Sequence, residues 1–259
     1  MNIPESNELA GNRATIKDLI PFILHPHIGF IMVARQPRRS WALPLLLISF
    51  TAVLCLIAAG YLKQQAALTG EVSLPPDFDY FTPEQQAQYF QATQATQSVP
   101  FIYILPIIGT VFGIWITWLI TGGLLHLITT LLGGRGETLL SMNIVAWASL
   151  PLAIRNIVQL TYILLSQKLI ISPGLSGFVN PSASNWSLAL SALLSLIDIY
   201  LIWYVILLVI GVRATMGLSS QKSIGSVIIT FVLISMVQAA VQFLIYKIGD
   251  LSISRPFYF

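Results

Sequence analysis

The sequence predicts an all-α membrane protein: a polytopic bundle of about five transmembrane helices preceded by an N-terminal interfacial amphipathic segment. Hydrophobic residues make up 56% of the 259 residues and charged residues only 9%, with a mean hydropathy of +0.80. A soluble domain carries roughly 25% charged residues. Several apolar runs reach the roughly 20 residues that cross a hydrocarbon core of about 30 Å. These runs must be helices, because lipid offers no partners for free backbone N–H and C=O groups.

Residues 1–40 form a mixed, mostly polar segment before the first span. Within it, residues 16–34 are apolar, but Pro21 and Pro26 interrupt the run and charges flank it. We therefore predict one or two short helices lying in the interface rather than a span. The interfacial basic residues that follow directly are Arg35, Arg38 and Arg39. They are expected among lipid headgroups just before the first span.

Residues 41–247 form the predicted membrane domain. The five spans are predicted at 41–61, 99–132, 143–166, 186–211 and 225–247. An outer loop, 62–98, follows the first span, and residues 248–259 form a short C-terminal tail. Pro151 removes one backbone hydrogen bond from the third span, which predicts a kink there.

The outer loop contains one clear helix start. Thr82 can cap a helix, Pro83 suits the first helical position, and Gln85 completes a capping box. The pattern predicts a short surface helix from Pro83 to about Gln97.

Lysine and arginine residues indicate the orientation of the spans. With the N-terminus inside, the inner segments hold eight of them and the outer segments four, and the first outer loop is acidic. We predict a cytoplasmic N-terminus and an extracytoplasmic C-terminus.

Two charges lie deep in the predicted spans. Arg155 comes 12 residues after Asn143, and Asp198 comes 12 residues after Trp186, so both fall near the middle of the bilayer by these bounds. A charge there costs at least about 2.5–3.5 kcal/mol, and pairing reduces that cost. We predict an interhelical salt bridge between Arg155 and Asp198. We favour a role in helix register over a gate or proton site, because the acids or histidines of a proton relay are missing.

Other polar residues in the spans are interpreted mainly as packing contacts. Asn156 and Gln159 fall in the third span, and Gln238 and Gln242, four residues apart, share one face of the fifth. A polar stripe lining a cavity is the alternative interpretation of Gln238 and Gln242. Gly109 and Gly113 form a GxxxG pattern, which allows close approach of helices.

No catalytic, cofactor-binding or metal-binding pattern is recognisable. His25 and His27 are two residues apart and do not share a helix face, His126 is distant, and the single cysteine is Cys55. There is no Walker loop, HExxH or GxSxG motif. A net charge of +3 is too diffuse for nucleic-acid binding. The predictions are therefore no enzyme, no cofactor, no metal and no nucleic-acid partner.

Three stretches carry a family resemblance. They are the entry segment 26–37, the segment 133–140 followed by Trp-Ala-Ser-Leu-Pro at 147–151, and the segment 202–211 running into 217–222. In order and spacing they resemble the Ypt-interacting-protein (Yip) family of membrane proteins, in its prokaryotic form. The resemblance implies a five-span bundle with a cytosolic N-terminus. Eukaryotic members are associated with Rab GTPases and vesicle traffic, but residues 1–40 contain no obvious GTPase-binding segment.

Two functions follow as hypotheses. The first is a non-enzymatic membrane organiser or adaptor that binds partner proteins, or a second copy of itself, or shapes the bilayer through its basic N-terminal segment. The second is a small transporter or channel whose path is lined by Arg155, Asp198 and the Gln238/Gln242 face.

Overall fold

The computed structural model of the protein describes residues 19–35, 40–68, 78–170, 172–179 and 185–254. Within these ranges the regular structure is helical. The α-helices are α1 (Leu19–Leu24), α2 (Pro26–Arg35), α3 (Ala42–Leu68), α4 (Pro83–Thr96), α5 (Leu105–Leu131), α6 (Thr138–Ala148), α7 (Leu150–Ser166), α8 (Asn185–Leu194), α9 (Ile199–Thr215) and α10 (Ser220–Ser254).

Among the described residues, four helical stretches are long and apolar enough to cross a membrane. They are Ala42–Ala66, Pro100–Leu131, Thr138–Ser166 and Ser220–Val241. A fifth crossing is obtained if Trp186–Leu194 and Ile199–Thr215, which meet at 64°, count as one span. The predicted fold class, a polytopic helical membrane protein of about five spans, is confirmed.

Some helix ends differ from the predicted spans: α3 continues to Leu68, past the predicted end at 61, and α10 begins at Ser220 rather than 225. The second crossing, Pro100–Leu131, agrees with the predicted span 99–132, and a five-residue π-helix, Pro100–Ile104, leads into α5. The third crossing begins at Thr138 rather than 143, and its helix is interrupted at Ser149. Ser149 lies two residues before Pro151, whose missing N–H explains the interruption.

The chain divides into two compact units. The first consists of Met1–Leu45, Thr117–Leu152 and Ile171–Phe259. The second consists of Leu46–Ile116 and Ala153–Ile170.

Helix α9 is the centre of the first unit, where it contacts α2, α6 and α10. Gly211 lies at the closest approach. A Cβ atom added there would be 2.7 Å from Ile144 Cγ2 and 2.9 Å from Phe30 Cε1. The absence of a side chain at Gly211 therefore lets α9 approach α2 and α6 at the same place.

The N-terminal helices α1 and α2 are part of this packing. The sequence predicts short helices here, and the helix is interrupted at His25, directly before Pro26, as expected from the restriction that proline places on the preceding residue. The rings of Phe22 and Phe30 lie 4.7 Å apart, and the ring of Phe22 lies 5.0 Å from that of Trp147 on α6. One side of this segment is therefore buried in protein, which the sequence prediction of an interfacial position had missed.

Polar side chains join the helices of the second unit. Ser49 of α3 accepts a hydrogen bond from Trp115 Nε1 of α5, and Thr51 of α3 accepts one from Asn156 Nδ2 of α7; both are 3.2 Å long. The interpretation of Asn156 as a packing contact is supported by this bond.

The loop after α3 carries the predicted surface helix, α4. Thr82 Oγ1 accepts a hydrogen bond from the Gln85 backbone N–H at 3.3 Å, and Gln85 Oε1 accepts one from the Thr82 N–H at 3.0 Å. The ring of Phe78 packs 5.4 Å from that of Phe90 and covers one side of the helix. The capping box inferred from the sequence is thus confirmed.

Candidate functional site: a broken membrane helix

The fourth predicted span is not a continuous helix. Helix α8 ends at Leu194, α9 begins at Ile199, and the two axes meet at 64°. Asp198 caps α9: its Oδ1 atom accepts a hydrogen bond from the Leu201 backbone N–H at 2.7 Å. Aspartate at this position satisfies one of the free N–H groups of a helix N-terminus and interacts favourably with its dipole. The prediction of one helix over 186–211, with Asp198 in its interior, is therefore wrong.

The loop before α8 closes the break from one side. The backbone N–H of Leu175 donates to the carbonyl oxygens of both Leu194 (3.0 Å) and Ile197 (3.1 Å). Leu194 is the last residue of α8, and its carbonyl also accepts the backbone N–H of Ile197 at 3.1 Å, whereas Ile197 lies in the linker. Sequence reasoning missed this contact. The only signal is the turn-forming dipeptide Pro173-Gly174, which does not indicate a distant partner.

Arg155 and Asp198, the two charges predicted to form a salt bridge, belong to different units. Arg155 lies in α7, half-buried, in the second unit, and Asp198 lies at the start of α9 in the first unit. Their salt bridge stays a prediction.

Of the three basic residues predicted at the interface, the structure describes Arg35. Arg35 is the last residue of α2 and its side chain is exposed. A positive charge in the last helical turn interacts favourably with the helix dipole. Arg38 and Arg39 lie outside the described residues.

The predicted polar stripe on α10 is described only in part. Gln238 is half-buried on α10, and Gln242 lies in the same helix, but its side chain is outside the described part. The predicted polar stripe therefore stays a prediction. A Cβ added to Gly109 or Gly113 would meet nothing within 4 Å, so this side of α5 is open.

Possible metal ligands are dispersed over the described chain. His25 and His27 are exposed and His126 is half-buried. Within the described ranges, no three or more His, Cys, Asp or Glu side chains come together as they would around a metal ion.

Two of the stretches that carry the family resemblance meet in the first unit. The backbone N–H of Arg135 donates to the carbonyl of Met216 at 3.1 Å. The ammonium group of Lys222 donates to the carbonyl of Leu132, near the end of α5, at 2.8 Å. The loop after α5 and the loop between α9 and α10 are therefore tied together, with Lys222 satisfying a carbonyl at a helix C-terminus.

Comparison with known proteins agrees with the resemblance. The Yip1 domain matches residues 22–241. The matched region begins at the buried Phe22 of α1 and includes the broken fourth span and most of the described part of α10. No curated protein and no solved structure matches the chain. Since the match covers most of the sequence, the chain belongs to the Yip1 domain family.

Proposed function

We propose that this protein is a non-enzymatic membrane organiser or adaptor, which binds partner proteins or shapes the bilayer through α1 and α2. The supporting observation is that these two helices have two apolar sides. Phe22 and Phe30 are buried against the rest of the unit, whereas Leu24 is 67% exposed and Met32 is 50% exposed. An apolar surface held on a rigid support is suited to contact with lipid or with a partner.

The charge of the segment supports the same function. Arg35 is exposed at the end of α2, and Arg38 and Arg39 follow it in the sequence. A basic residue near an anionic membrane surface contributes about 1 kcal/mol of attraction. The exposed Arg35 at the end of α2, followed in the sequence by two more arginines, favours a position at the headgroups of an anionic leaflet.

The test is a tagged purification from native membranes after mild crosslinking, with bound proteins and lipids quantified by mass spectrometry. The variant replaces Arg35, Arg38 and Arg39 with glutamine. The control replaces Arg135 and Arg213, which are also exposed and predicted on the same side of the membrane. We expect a stoichiometric partner or retained anionic lipid with the parent protein and the control, and loss of both with the variant.

Equal recovery from all three proteins would overturn the role of the basic segment. Recovery of the parent protein with neither partner nor anionic lipid would overturn the organiser function itself and favour transport.

A small transporter or channel is the second candidate, and the break in the fourth span favours it. Discontinuous helices near the membrane midplane supply the binding sites of many transporters, because their free ends carry unpaired backbone groups. Asp198 lies at this break. Together with Arg155 and the Gln238/Gln242 face, it would line the path.

Ion flux in liposomes tests the second candidate. Flux that is present in the parent protein and lost in Asp198→Asn would support it. Absence of flux for every ion tested in the parent protein would count against it.

A further inference from the structure

Two loops of the first unit mark one edge of the membrane. The loop after α5 is joined to the loop between α9 and α10 by the hydrogen bonds from Arg135 to Met216 and from Lys222 to Leu132. The side chains of Arg135, Arg213 and Lys222 are exposed. Because charged side chains near the ends of membrane helices reach for water and headgroups, these loops lie at the boundary of the hydrocarbon core.

Helix α9 extends from this boundary through most of the core. It has 17 residues, Ile199–Thr215, and at 1.5 Å per residue it is about 25 Å long, whereas the core is about 30 Å thick. The linker before α9 therefore lies nearer to the opposite boundary than to the midplane. There the Asp198 carboxylate is roughly 5 Å from the boundary, and a charge is most costly at the midplane. A break at this depth supports the transporter function less than one at the midplane would.

Helix α8 covers the remaining distance at a shallow angle. Its axis is bent by 64° from that of α9, so its ten residues, Asn185–Leu194, rise by only about 7 Å along the direction of α9. The two helices together therefore match the thickness of the core. A continuous helix over 186–215 would be about 45 Å long and would carry Trp186 well into water.

Exposed aromatic rings and a lack of charge distinguish α8 and the turn beside it. Helix α8 packs on α10 and on the 3₁₀ turn Ser176–Phe178. Trp186 is 76% exposed and Phe178 is 84% exposed. Residues 169–197 contain no Asp, Glu, Lys or Arg. Aromatic rings, tryptophan in particular, prefer the boundary between hydrocarbon and headgroups, so contact of this surface with lipid depends on apolar burial and not on charge.

We propose that α8 and the turn 172–178 form an interfacial lipid-binding surface on the side of the membrane that is predicted to be outer. Trp186 and Phe178 contact the glycerol and upper acyl region of phospholipids, whatever the charge of the headgroup. A helix that lies across one leaflet takes up lipid area in that leaflet alone. The proposal goes beyond the organiser function, because it involves neither α1 and α2 nor their basic residues.

The depth of spin labels tests the shallow angle of α8. In a Cys55→Ser background, single cysteines replace residues at matched spacing on α8 and on the control helix α10. They are Trp186, Leu190 and Leu193 on α8 and Ile229, Leu233 and Met236 on α10. Each set lies along one side of its helix, and the α10 residues are exposed. Depth in phosphatidylcholine nanodiscs is obtained from the collision rates of the label with oxygen and with a water-soluble nickel complex.

We expect the depth to change by about 10 Å over the seven residues on α10 and by about 5 Å over those on α8. The label at position 186 should lie within about 5 Å of the boundary. An equal change along the two helices would overturn the proposal. The same holds if the nickel complex reaches position 186 as readily as a label at the exposed Gln88 of α4.

Photolabelling of the parent protein tests the surface without these variants. One phospholipid probe carries a diazirine at the top of its acyl chain and another carries it at the chain end. Peptides containing Trp186 and Phe178 should be labelled several-fold more by the first probe. This labelling should be equal in phosphatidylcholine and in anionic vesicles, and unchanged when Arg35, Arg38 and Arg39 are replaced with glutamine. Stronger labelling by the second probe would refute the proposal, as would no labelling by either, which is expected if protein covers α8.

Discussion

The indole Nε1 of Trp147 donates a hydrogen bond to the backbone carbonyl of Ser40, with 3.1 Å between the two atoms. The residues are 107 positions apart in the chain, and both are buried. The bond fixes the residue before the first span to α6, beside the ring of Phe22. The N-terminal helices, the entry to α3 and the third crossing are therefore joined at one place.

Trp147→Phe should destabilise the protein. Phenylalanine keeps most of the aromatic contact but lacks the N–H, which leaves the buried Ser40 carbonyl without this donor. The expected loss is about 1–3 kcal/mol, measured as a lower Tm in detergent. Trp186→Phe is the control, because Trp186 is 76% exposed and Trp147 only 1%; an equal drop in both variants would contradict the prediction.

Gly211→Ala should lower the stability of the protein, and Gly113→Ala should not. At Gly211 the new methyl group would collide with Ile144 and Phe30, and overpacking of this kind costs about 1–3 kcal/mol. At Gly113 the methyl group meets nothing within 4 Å, so the better helix propensity of alanine should leave stability unchanged or raise it by up to about 1 kcal/mol. Thermal unfolding of the two variants side by side is the measurement.

The hydrogen bond between Asn156 and Thr51 should contribute modestly to stability. Interhelical hydrogen bonds in membranes average about 0.6 kcal/mol. A double-mutant cycle with Asn156→Ala and Thr51→Val should give a coupling energy of about that size. A coupling energy near zero would show that the hydrogen bond adds nothing to the stability that helix packing provides.

The predicted orientation can be checked with reporter fusions. A reporter fused after Phe259 should be extracytoplasmic, and one fused before Met1 should be cytoplasmic. A cytoplasmic reporter at Phe259 would reverse the predicted position of the C-terminus. The internal control is a cysteine inserted in the loop at Arg135. This loop is predicted on the inner side, so the cysteine should be labelled from that side.

Asp198→Asn tests the predicted pair with Arg155 without removing the helix cap, since asparagine caps a helix as well as aspartate does. If the pair forms, the variant leaves the Arg155 charge uncompensated in the membrane, at a cost of about 2.5–3.5 kcal/mol. Adding Arg155→Gln should restore most of the lost stability. Unchanged stability and unchanged activity in Asp198→Asn would show that the pair is irrelevant.

Local signals in the sequence were sufficient where neighbouring residues determine the structure. Thr82 and Gln85 are three positions apart and predicted the start of α4. Pro26 marked the division between α1 and α2. In each case the residues that determine the local geometry are close together in the chain, so the sequence pattern is enough to predict that geometry.

The broken fourth span could not be predicted in this way. Its apolar run suggested a continuous helix, with Asp198 in its interior and paired with Arg155. The role of Asp198 as a cap depends on the interruption of the helix, and Leu175, about 20 positions earlier, donates its backbone N–H to carbonyls at the break. The face of α2 covered by α9 was missed for the same reason, because its partner Gly211 is far away in the sequence.

The central position of α9 also has a consequence for synthesis. Phe30 and Ile144 lie beside Gly211, yet both are made long before it. At roughly 5–20 residues per second, the ribosome needs several seconds to go from Ile144 to Gly211. During that time the nascent chain in the membrane exposes the surfaces of α2 and α6 that α9 will cover, so completion of the first unit waits for one of the last helices to be inserted.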